Sequence, residues 1–374
     1  MISRIKRAAN ADADPPVEPA GAEGPWARGS LVLPGVSVII SSYNYADYIE
    51  AALDSIAAQT YANLECVVVD DASQDNSVAV VGNWLARTGD RRFRLIAGPA
   101  NRGQLGAVAD GLAATDGEFV AILDADDLWL PEFLHRHVQV HLSTQAAAAA
   151  SCSHLMQMDR EGRVLAGNSQ WQDLGKGGKN NRLAIAASAL PRLDAGGAAW
   201  PAPEPAAATL VNPDLFKWHW SATSAMVFRR SMLDLVMPAD PRQVRICADH
   251  YLMSLCHYFG GSLVLEEVLG AYRRHGRNSF AALPVLGSQA ALAPGHGKPL
   301  MKQNFAVMLA HVAERYETFA SIYGDHAPRR FLGQVRRYLA VEGFQVDTAA
   351  VDARLRTAKR ALVSGFFQGL RRRL

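Results

Sequence analysis

The chain has 374 residues, of which 49% are hydrophobic, so it is long enough for one large domain with an extension or for two domains. Its 38 basic and 36 acidic side chains nearly cancel, which argues against nucleic-acid binding, since that needs a strong basic excess. No run of 18 apolar residues occurs, so no membrane-spanning helix is predicted. The first 28 residues lack a signal peptide's apolar stretch, and the four cysteines lie far apart. We therefore expect a cytoplasmic protein.

Strand and helix patterns alternate four times after a disordered tail that we predict over residues 1–33. Short apolar, β-branched runs predict strands at 36–40, 64–69, 93–96 and 119–123. Helices are predicted between them at 49–56, 77–87 and 104–114. This alternation predicts an α/β fold with a mostly parallel, Rossmann-like sheet flanked by helices. Such sheets bind their ligands at the carboxyl ends of the strands.

The rest of the chain is less regular. Residues 160–215 mix Gly, Ala and Pro and are predicted to be an irregular insertion, whereas order returns over 216–285. Residues 300–374 are predicted to form a helical extension. Near its end, apolar residues between 351 and 370 alternate with Arg and Lys, which is typical of a basic amphipathic helix. Such a helix either packs on its own domain or lies on an anionic membrane surface.

Acidic and aromatic side chains follow three of the predicted strands. Asp124 and Asp126 come after the fourth strand, and residues i and i+2 of extended backbone point the same way, about 6–7 Å apart. Two such carboxylates can share Mg²⁺ or Mn²⁺, but Asp-rich strand ends are also common caps, and we expect Asp127 to be one. Asp71 follows the second strand, where it either supports a helix cap or accepts an N–H from a nucleobase. Tyr43, after the first strand, either stacks on a base or is a half-buried edge residue.

Two common nucleotide-binding motifs are incomplete or missing. Residues 98–103 follow a strand and have the G-x-x-x-x-G spacing of a phosphate-binding loop, but the Lys and Ser/Thr that should come next are absent. A G-x-G-x-x-G dinucleotide fingerprint does not occur. The sequence therefore argues against an ordinary P-loop NTPase and against an NAD enzyme.

Five segments in succession resemble the motifs of family-two glycosyltransferases, which have a GT-A fold; they are residues 36–44, 59–61, 65–75, 101–103 and 117–127. The resemblance is dense over 36–140 and sparser over 218–280. It implies a GT-A domain over 34–285, with a nucleotide-sugar half at 34–140 and an acceptor half at 216–285. It also implies an inverting transfer of sugar from a nucleoside diphosphate donor, a UDP-sugar by family habit, to a hydroxyl of a glycan or lipid-linked acceptor.

The resemblance implies a nucleotide site formed by Tyr43, Asp71, Asn101, Gly103 and Asp124. It implies that Asp126 and Asp124 hold a divalent metal, Mn²⁺ or Mg²⁺, on the diphosphate, where it would stabilise the charge of the leaving group. The segment 272–275 is similar to a late Tyr-Arg-x-His motif of the family. Its His275 either completes the metal shell or belongs to an exposed basic loop.

Inversion needs a base for the acceptor hydroxyl, and the resemblance implies Asp249 in this role. Ala248 stands where the family commonly has Glu, so the match is weaker at this point. Asp249 could instead cap the helix that follows it. Trp218 and Trp220 lie in the region where acceptors bind and are either sugar-stacking or core residues.

Three other functions stay open at this point. A nucleotidyltransferase also uses paired carboxylates, but its early basic Gly-rich loop is missing from residues 41–44. A non-catalytic sugar-nucleotide-binding protein would keep the donor residues without needing Asp249. A retaining transferase would give the opposite product stereochemistry. The principal expectation is an inverting, metal-dependent enzyme of polysaccharide biosynthesis, cytoplasmic or held at the inner membrane face by its C-terminal helix.

Overall fold

The structure is a computed structural model that describes residues 32–167, 182–186, 194–195, 198–199, 207–212, 218–278, 298–341 and 343. The predicted tail up to residue 31 and the predicted amphipathic helix at 351–370 lie outside the described residues. The strands are β1 (Val36–Ser42), β2 (Leu64–Asp70), β3 (Phe93–Ala97), β4 (Phe119–Asp124), β5 (Leu128–Trp129), β6 (Ala150–Met158), β7 (Val164–Ala166), β8 (Arg182–Ala186), β9 (Asp194–Ala195), β10 (Ala198–Ala199), β11 (Ala207–Val211), β12 (Met226–Arg229) and β13 (Ser262–Arg273). The helices are α1 (Ile49–Ala57), α2 (Ser77–Thr88), α3 (Gln104–Ala113), α4 (Phe133–Ser143), α5 (Arg230–Val236), α6 (Ala248–Gly260), α7 (Lys298–Glu314), α8 (Tyr316–Tyr323) and α9 (His326–Val341).

The first four strands form the predicted parallel sheet, in the order β3-β2-β1-β4. Side chains of β1 alternate between two buried faces, as the period of a strand requires. Val38 and Ile40 pack in one apolar cluster with residues of α1 and α2, whereas Ile39 packs in the other with residues of α3. Because helices cover both faces, the strands are continuous apolar runs, which is why the sequence predicted them well.

The second half of the sheet runs in both directions. β12 pairs antiparallel with β4 and with β6, and β13 pairs parallel with β6. β11 and β8 then extend the sheet, while β7 pairs with β6 and β5 with β13. Strands β7, β8 and β11 fall within residues 160–215, so the prediction of an irregular insertion is wrong for these stretches. Their hydrogen bonds come from distant strands, which local composition does not reveal.

The helical extension is confirmed by α7, α8 and α9 within the described residues. Apolar side chains of all three helices join the same cluster as Tyr251 and Phe259 of α6; they include Phe305, Met308, Phe319, Phe331 and Leu332. The architecture is therefore the expected GT-A type α/β fold with a helical C-terminal region. Among the described helices, none is long and apolar enough to cross a bilayer.

Candidate active site

The candidate site lies where the parallel strands end. The register of the sheet places Ser41 of β1 beside Asp124 of β4, and Ser42 beside Asp70 of β2. The loops that leave these three strands therefore start at one edge of the sheet. This is the edge at which the sequence predicted a ligand.

Three of the predicted nucleotide residues come together around Asp71. Its carboxylate accepts the backbone N–H groups of Arg102 at 2.6 Å and of Gly103 at 2.8 Å. The Asn101 side-chain amide donates to the backbone oxygen of Asp71 at 3.2 Å. Asp71 thus fixes the 101–103 loop against the end of β2. A carboxylate has about four lone-pair positions, so these two bonds leave acceptor capacity for a base.

Gly103 is required by its backbone and by its surroundings. Its φ is +80° and its ψ is 170°, a region that is essentially restricted to glycine. A Cβ at this position would lie 2.6 Å from the Cα of Arg245. The next residue, Gln104, donates its backbone N–H to the Arg245 oxygen at 2.8 Å. The loop therefore brings the nucleotide residues directly against the segment that leads to Asp249.

One polar side chain, Gln104, connects Asp124 with the beginning of α6. Gln104 donates from Nε2 to Asp124 Oδ1 at 2.9 Å, and its Oε1 accepts the Ala248 N–H at 3.0 Å. Thr223 also lies near both carboxyls and offsets part of the increase in the pKa of Asp124 and of Asp249. Asp249 lies in the first turn of α6, and its Oδ1 accepts the N–H of His250 at 2.7 Å. Gln104 thus links the predicted metal residue Asp124 to the start of the helix that carries the predicted base.

The site concentrates negative charge. Burial, then Asp126, then Asp249 raise the pKa of Asp124 to about 8. Burial raises the pKa of Asp249 to about 6. Burial, with help from Asp126 and Asp124, also raises the pKa of the Tyr45 phenol. Clustered carboxylates that disfavour their own ionisation are the environment in which a cation is bound most favourably.

Asp126 is paired with His275, as the prediction of a shared site requires. The two side chains are buried, and His275 Nε2 lies 2.8 Å from Asp126 Oδ2. The other ring nitrogen, Nδ1, accepts the Arg277 N–H at 3.2 Å, so Nε2 is the nitrogen that donates to Asp126. The ring stacks on Tyr48, with centroids 5.0 Å apart. His275 is therefore not part of an exposed basic loop.

The carboxylates fit a partial metal shell rather than a complete one. Within the described part of the chain, no three His, Cys, Asp or Glu side chains are grouped to hold a metal ion. Mg²⁺ and Mn²⁺ commonly take one or two protein carboxylates and complete their shells with water and phosphate oxygens. The adjacent, mutually repelling Asp124 and Asp126 fit that donor set.

The prediction that Asp127 caps a helix is wrong. This side chain is fully buried, and it accepts hydrogen bonds from the Ser224 hydroxyl at 2.6 Å and the Arg273 N–H at 2.8 Å. Helix α4 begins six residues later, after Glu132, whose side chain makes no capping bond. Asp127 instead ties the end of β13 to the turn that follows β4.

The predicted aromatic residues have different surroundings. Tyr43 is 42% exposed beside the end of β1 and leaves its ring available for stacking. Trp220 is 2% exposed and donates from Nε1 to Ser262 Oγ at 3.0 Å, so it is a core residue. Trp218 is half-buried and stacks on His250, the residue next to Asp249.

Sequence reasoning missed Gln104, Thr223 and Ser224. Ser224 accepts the N–H of Asp124 at 3.1 Å while it donates to Asp127. Its sequence position could have indicated Gln104, because it is a polar residue at the start of a helix that follows a strand end. Thr223 and Ser224 lie just before β12, about 100 residues further along the chain than Asp124, and no local pattern connects them.

Part of the chain is similar in sequence to a known protein family. Residues 37–188 match the family model described as Glycosyl transferase family 2. An uncharacterized glycosyltransferase of Nostoc sp. is 34% identical over 244 residues, which cover 65% of this chain and 66% of that protein. The Escherichia coli protein WfgD, named a UDP-Glc:alpha-D-GlcNAc-diphosphoundecaprenol beta-1,3-glucosyltransferase, is 36% identical over 107 residues, which cover 29% of this chain and 41% of that protein.

Solved structures with a similar chain trace include S. aureus TarS 1-349 in complex with UDP. It is 15% identical, covers 82% of this chain and 72% of its own, and gives a TM-score of 0.48. The family match covers β1 to β4 and the loops that carry Asp71, Asn101 and the 124–126 triplet. Residues 37–188 of the chain therefore belong to glycosyl transferase family 2.

Proposed function

We propose that this chain transfers a sugar from a nucleoside diphosphate sugar to a hydroxyl acceptor with inversion, and that Asp249 is the base. The observation that carries the proposal is the link that Gln104 makes at the carboxyl ends of the parallel strands: it donates to Asp124 and accepts the N–H of Ala248, the residue before Asp249. Asp124 ends β4 on the proposed donor side, and Asp249 lies in the first turn of α6 on the proposed acceptor side. A transfer reaction needs both sides within reach of the same carbon atom.

The donor would bind along the edge formed by β1, β2 and β4. Asp71 supplies an anchored carboxylate for a base N–H, and the exposed Tyr43 ring supplies a stacking surface. Asn101 and Gly103 border the same space because Asp71 holds their loop. We infer a UDP-sugar, since the name of the related E. coli protein describes UDP-Glc as its donor.

Asp126 and Asp124 would hold a divalent cation, and His275, whose two ring nitrogens already have partners, would orient Asp126 rather than bind the metal itself. When bound, Mn²⁺ or Mg²⁺ supplies Lewis-acid stabilisation of the departing diphosphate. The chain's own contribution is the preorganised carboxylate pair, whose Asp126 member His275 already fixes at 2.8 Å. Ligand orientation by a hydrogen-bonded neighbour is common in metal sites.

Asp249 has the properties that a general base needs near neutral pH. With its pKa raised to about 6 by burial, it is mostly ionised at pH 7 and still accepts a proton more readily than an ordinary aspartate. The base must be deprotonated, so kcat/KM should fall as the pH drops below about 6. The rate should level off above that value until another group titrates.

The acceptor and the location of the enzyme are inferred from a relative. The E. coli protein is named for transfer to a diphosphoundecaprenol-linked sugar, so a lipid-linked glycan is the acceptor that we propose. An acceptor of this kind is anchored in a membrane. Residues 342–374 contain seven Arg or Lys and three Asp or Glu, which would favour contact with anionic lipid at the inner membrane face.

A thermal-shift panel tests the donor site. UDP, GDP, ADP and CDP are each added with and without Mn²⁺, and we expect UDP to raise the melting temperature only when the metal is present. The same increase should disappear in Asp126→Asn. Stabilisation by every nucleotide without metal, or by none in either condition, contradicts the proposed donor site.

A non-catalytic sugar-nucleotide-binding protein is the second candidate. It would pass the thermal-shift test but would not release UDP from UDP-glucose with water or a glycan as acceptor. Inversion is tested separately by NMR, which reads the anomeric configuration of the product. Retained configuration would refute the role given to Asp249.

A further inference from the structure

One peptide group, between Cys247 and Ala248, is held at both ends by side-chain amides from distant helices. Asn304 of α7 donates from Nδ2 to the Cys247 oxygen at 3.0 Å. On the other side of the same peptide, Gln104 of α3 accepts the Ala248 N–H at 3.0 Å. The side-chain amides of Asn304 and Gln104 are oriented so that an N–H group faces the peptide oxygen and an amide oxygen faces the peptide N–H. We call this arrangement the amide clamp.

The clamped peptide has an unusual conformation. Cys247 is the N-cap of α6 and has φ 59° and ψ 47°, in the left-handed region. A residue other than glycine keeps this conformation only where the surrounding structure holds it, and such residues cluster at functional sites. The bond from Tyr251 N to the Cys247 oxygen is long, at 3.4 Å, so the helix itself holds this carbonyl weakly. Asn304 provides the shorter bond.

The clamp lies directly before Asp249 and reaches Asp124. Asp249 is the second residue of α6, so the rotation of the 247–248 peptide sets the direction in which its side chain leaves the helix. Gln104 also donates to Asp124 Oδ1 at 2.9 Å. A single amide side chain therefore links the donor-side carboxylate to the backbone of the base.

Asn304 comes from the helical extension, beyond the residues 37–188 that match the family model. It is 2% exposed. It is followed by Phe305, whose ring meets His250 edge-on at 5.0 Å. The extension therefore contacts the base helix at two consecutive positions of α7.

We propose that Gln104 and Asn304 are positioning residues that hold the 247–248 peptide in its left-handed form and so direct Asp249 toward the reacting carbon. Through Asn304, the C-terminal helix α7 then helps to position the proposed base. This inference rests on the proposed function, in which Asp249 is the base.

The test is Asn304→Leu, which keeps the branching of the side chain at Cγ and removes the N–H donor. We expect kcat for UDP release from UDP-glucose, with water as acceptor, to fall about 10- to 100-fold, since small displacements of a reacting group can have effects of this size. The dissociation constant for UDP should stay within about twofold, because Asn304 is bonded to the base segment rather than to any residue of the donor site. Gln303→Ala is the matched control. Gln303 is exposed and donates to the Gln243 oxygen at 2.6 Å, so it anchors the same helix without touching the clamped peptide.

A second-site variant separates positioning from folding. Glycine adopts the left-handed region freely, so Cys247→Gly introduced into Asn304→Leu should recover at least several-fold of the lost kcat. A purely structural defect would not recover in this way. Equal losses in Asn304→Leu and Gln303→Ala, an unchanged kcat in Asn304→Leu, or no recovery in the double variant would overturn the proposal.

Failure of the clamp can be told apart from failure of the proposed function. If Asp249→Asn turns over UDP-glucose as the wild type does, the base assignment is wrong. If Asp249→Asn is inactive but Asn304→Leu is fully active, only the clamp is wrong. A crystal structure of Asn304→Leu gives a readout that does not depend on turnover. Cys247 should leave its positive φ there, and a retained φ near 59° refutes the clamp.

Discussion

Gly103→Ala should disconnect the nucleotide loop from the segment that precedes Asp249. The added Cβ would meet the Cα of Arg245 at 2.6 Å and its backbone oxygen at 3.0 Å, and neither atom can move without displacing backbone. The backbone at φ +80° and ψ 170° is also unfavourable for alanine.

The cost has two parts. Residues held in glycine-only backbone regions cost about 1–3 kcal/mol. Forcing an extra carbon into a packed contact costs about 1–3 kcal/mol. We therefore expect Gly103→Ala to lower the free energy of unfolding by about 4 kcal/mol, which lowers Tm by about 5 °C in a protein of this size. The affinity for UDP should fall as well, because Asp71 binds the Gly103 N–H.

Gly82→Ala is the matched control, measured in the same thermal and urea unfolding experiments. Gly82 lies within α2, and a Cβ there would have nothing within 4 Å. Alanine in a helix interior is favoured over glycine by about 0.5–1 kcal/mol, so this variant should be as stable as the wild type or more stable. If Gly103→Ala melts within about 2 °C of the wild type, the packing argument fails, since about 4 kcal/mol corresponds to a larger shift.

Three further variants test separate parts of the structure. Trp220→Phe loses its bond to Ser262, so urea unfolding should show a loss of about 1–2 kcal/mol, and an inactive but equally stable variant would refute the core assignment. Burial lowers the pKa of His141 to about 3. Below about pH 6.5 His141 is protonated in the unfolded chain but not in the native protein, so the free energy of unfolding should fall by about 1.4 kcal/mol per pH unit. His141→Gln should remove that part of the slope between pH 6.5 and 5.5, and an unchanged slope would contradict it. Burial raises the pKa of Asp127, so the native carboxyl keeps its proton to higher pH than the unfolded chain does and stability falls as pH rises. Asp127→Asn should therefore be at least as stable as the wild type at pH 8, and a loss of several kcal/mol there would show that the charge is needed.

The sequence predicted those parts of the fold whose signals are local. Strands such as β1 are continuous apolar runs because both faces of the sheet are covered, and their ends carry the polar residues of the site. Asp71 and Asp124 could be found in this way, since each directly follows or ends a strand. The short strands β8 and β11 could not, because they are defined by pairing with each other and with β13.

The missed site residues depend on contacts between distant segments. Gln104 gains its role only when α3 packs beside residues 245–248, and Thr223 only when β12 pairs with β4. Asp127 was misassigned for the same reason, since its partners Ser224 and Arg273 lie 97 and 146 residues further along the chain. A motif indicates which residue types are present, whereas packing decides which of them meet.

The most direct measurement for the central claim is donor turnover by Asp249→Asn, with UDP binding measured on the same sample. The substitution keeps the shape of the side chain and removes its ability to accept a proton. The account predicts that kcat for release of UDP from UDP-glucose falls by about 10²- to 10⁴-fold, as for loss of a general base, while UDP affinity with Mn²⁺ stays within about twofold. Turnover close to that of the wild type would contradict the account, because the enzyme would then take the acceptor proton with some other group.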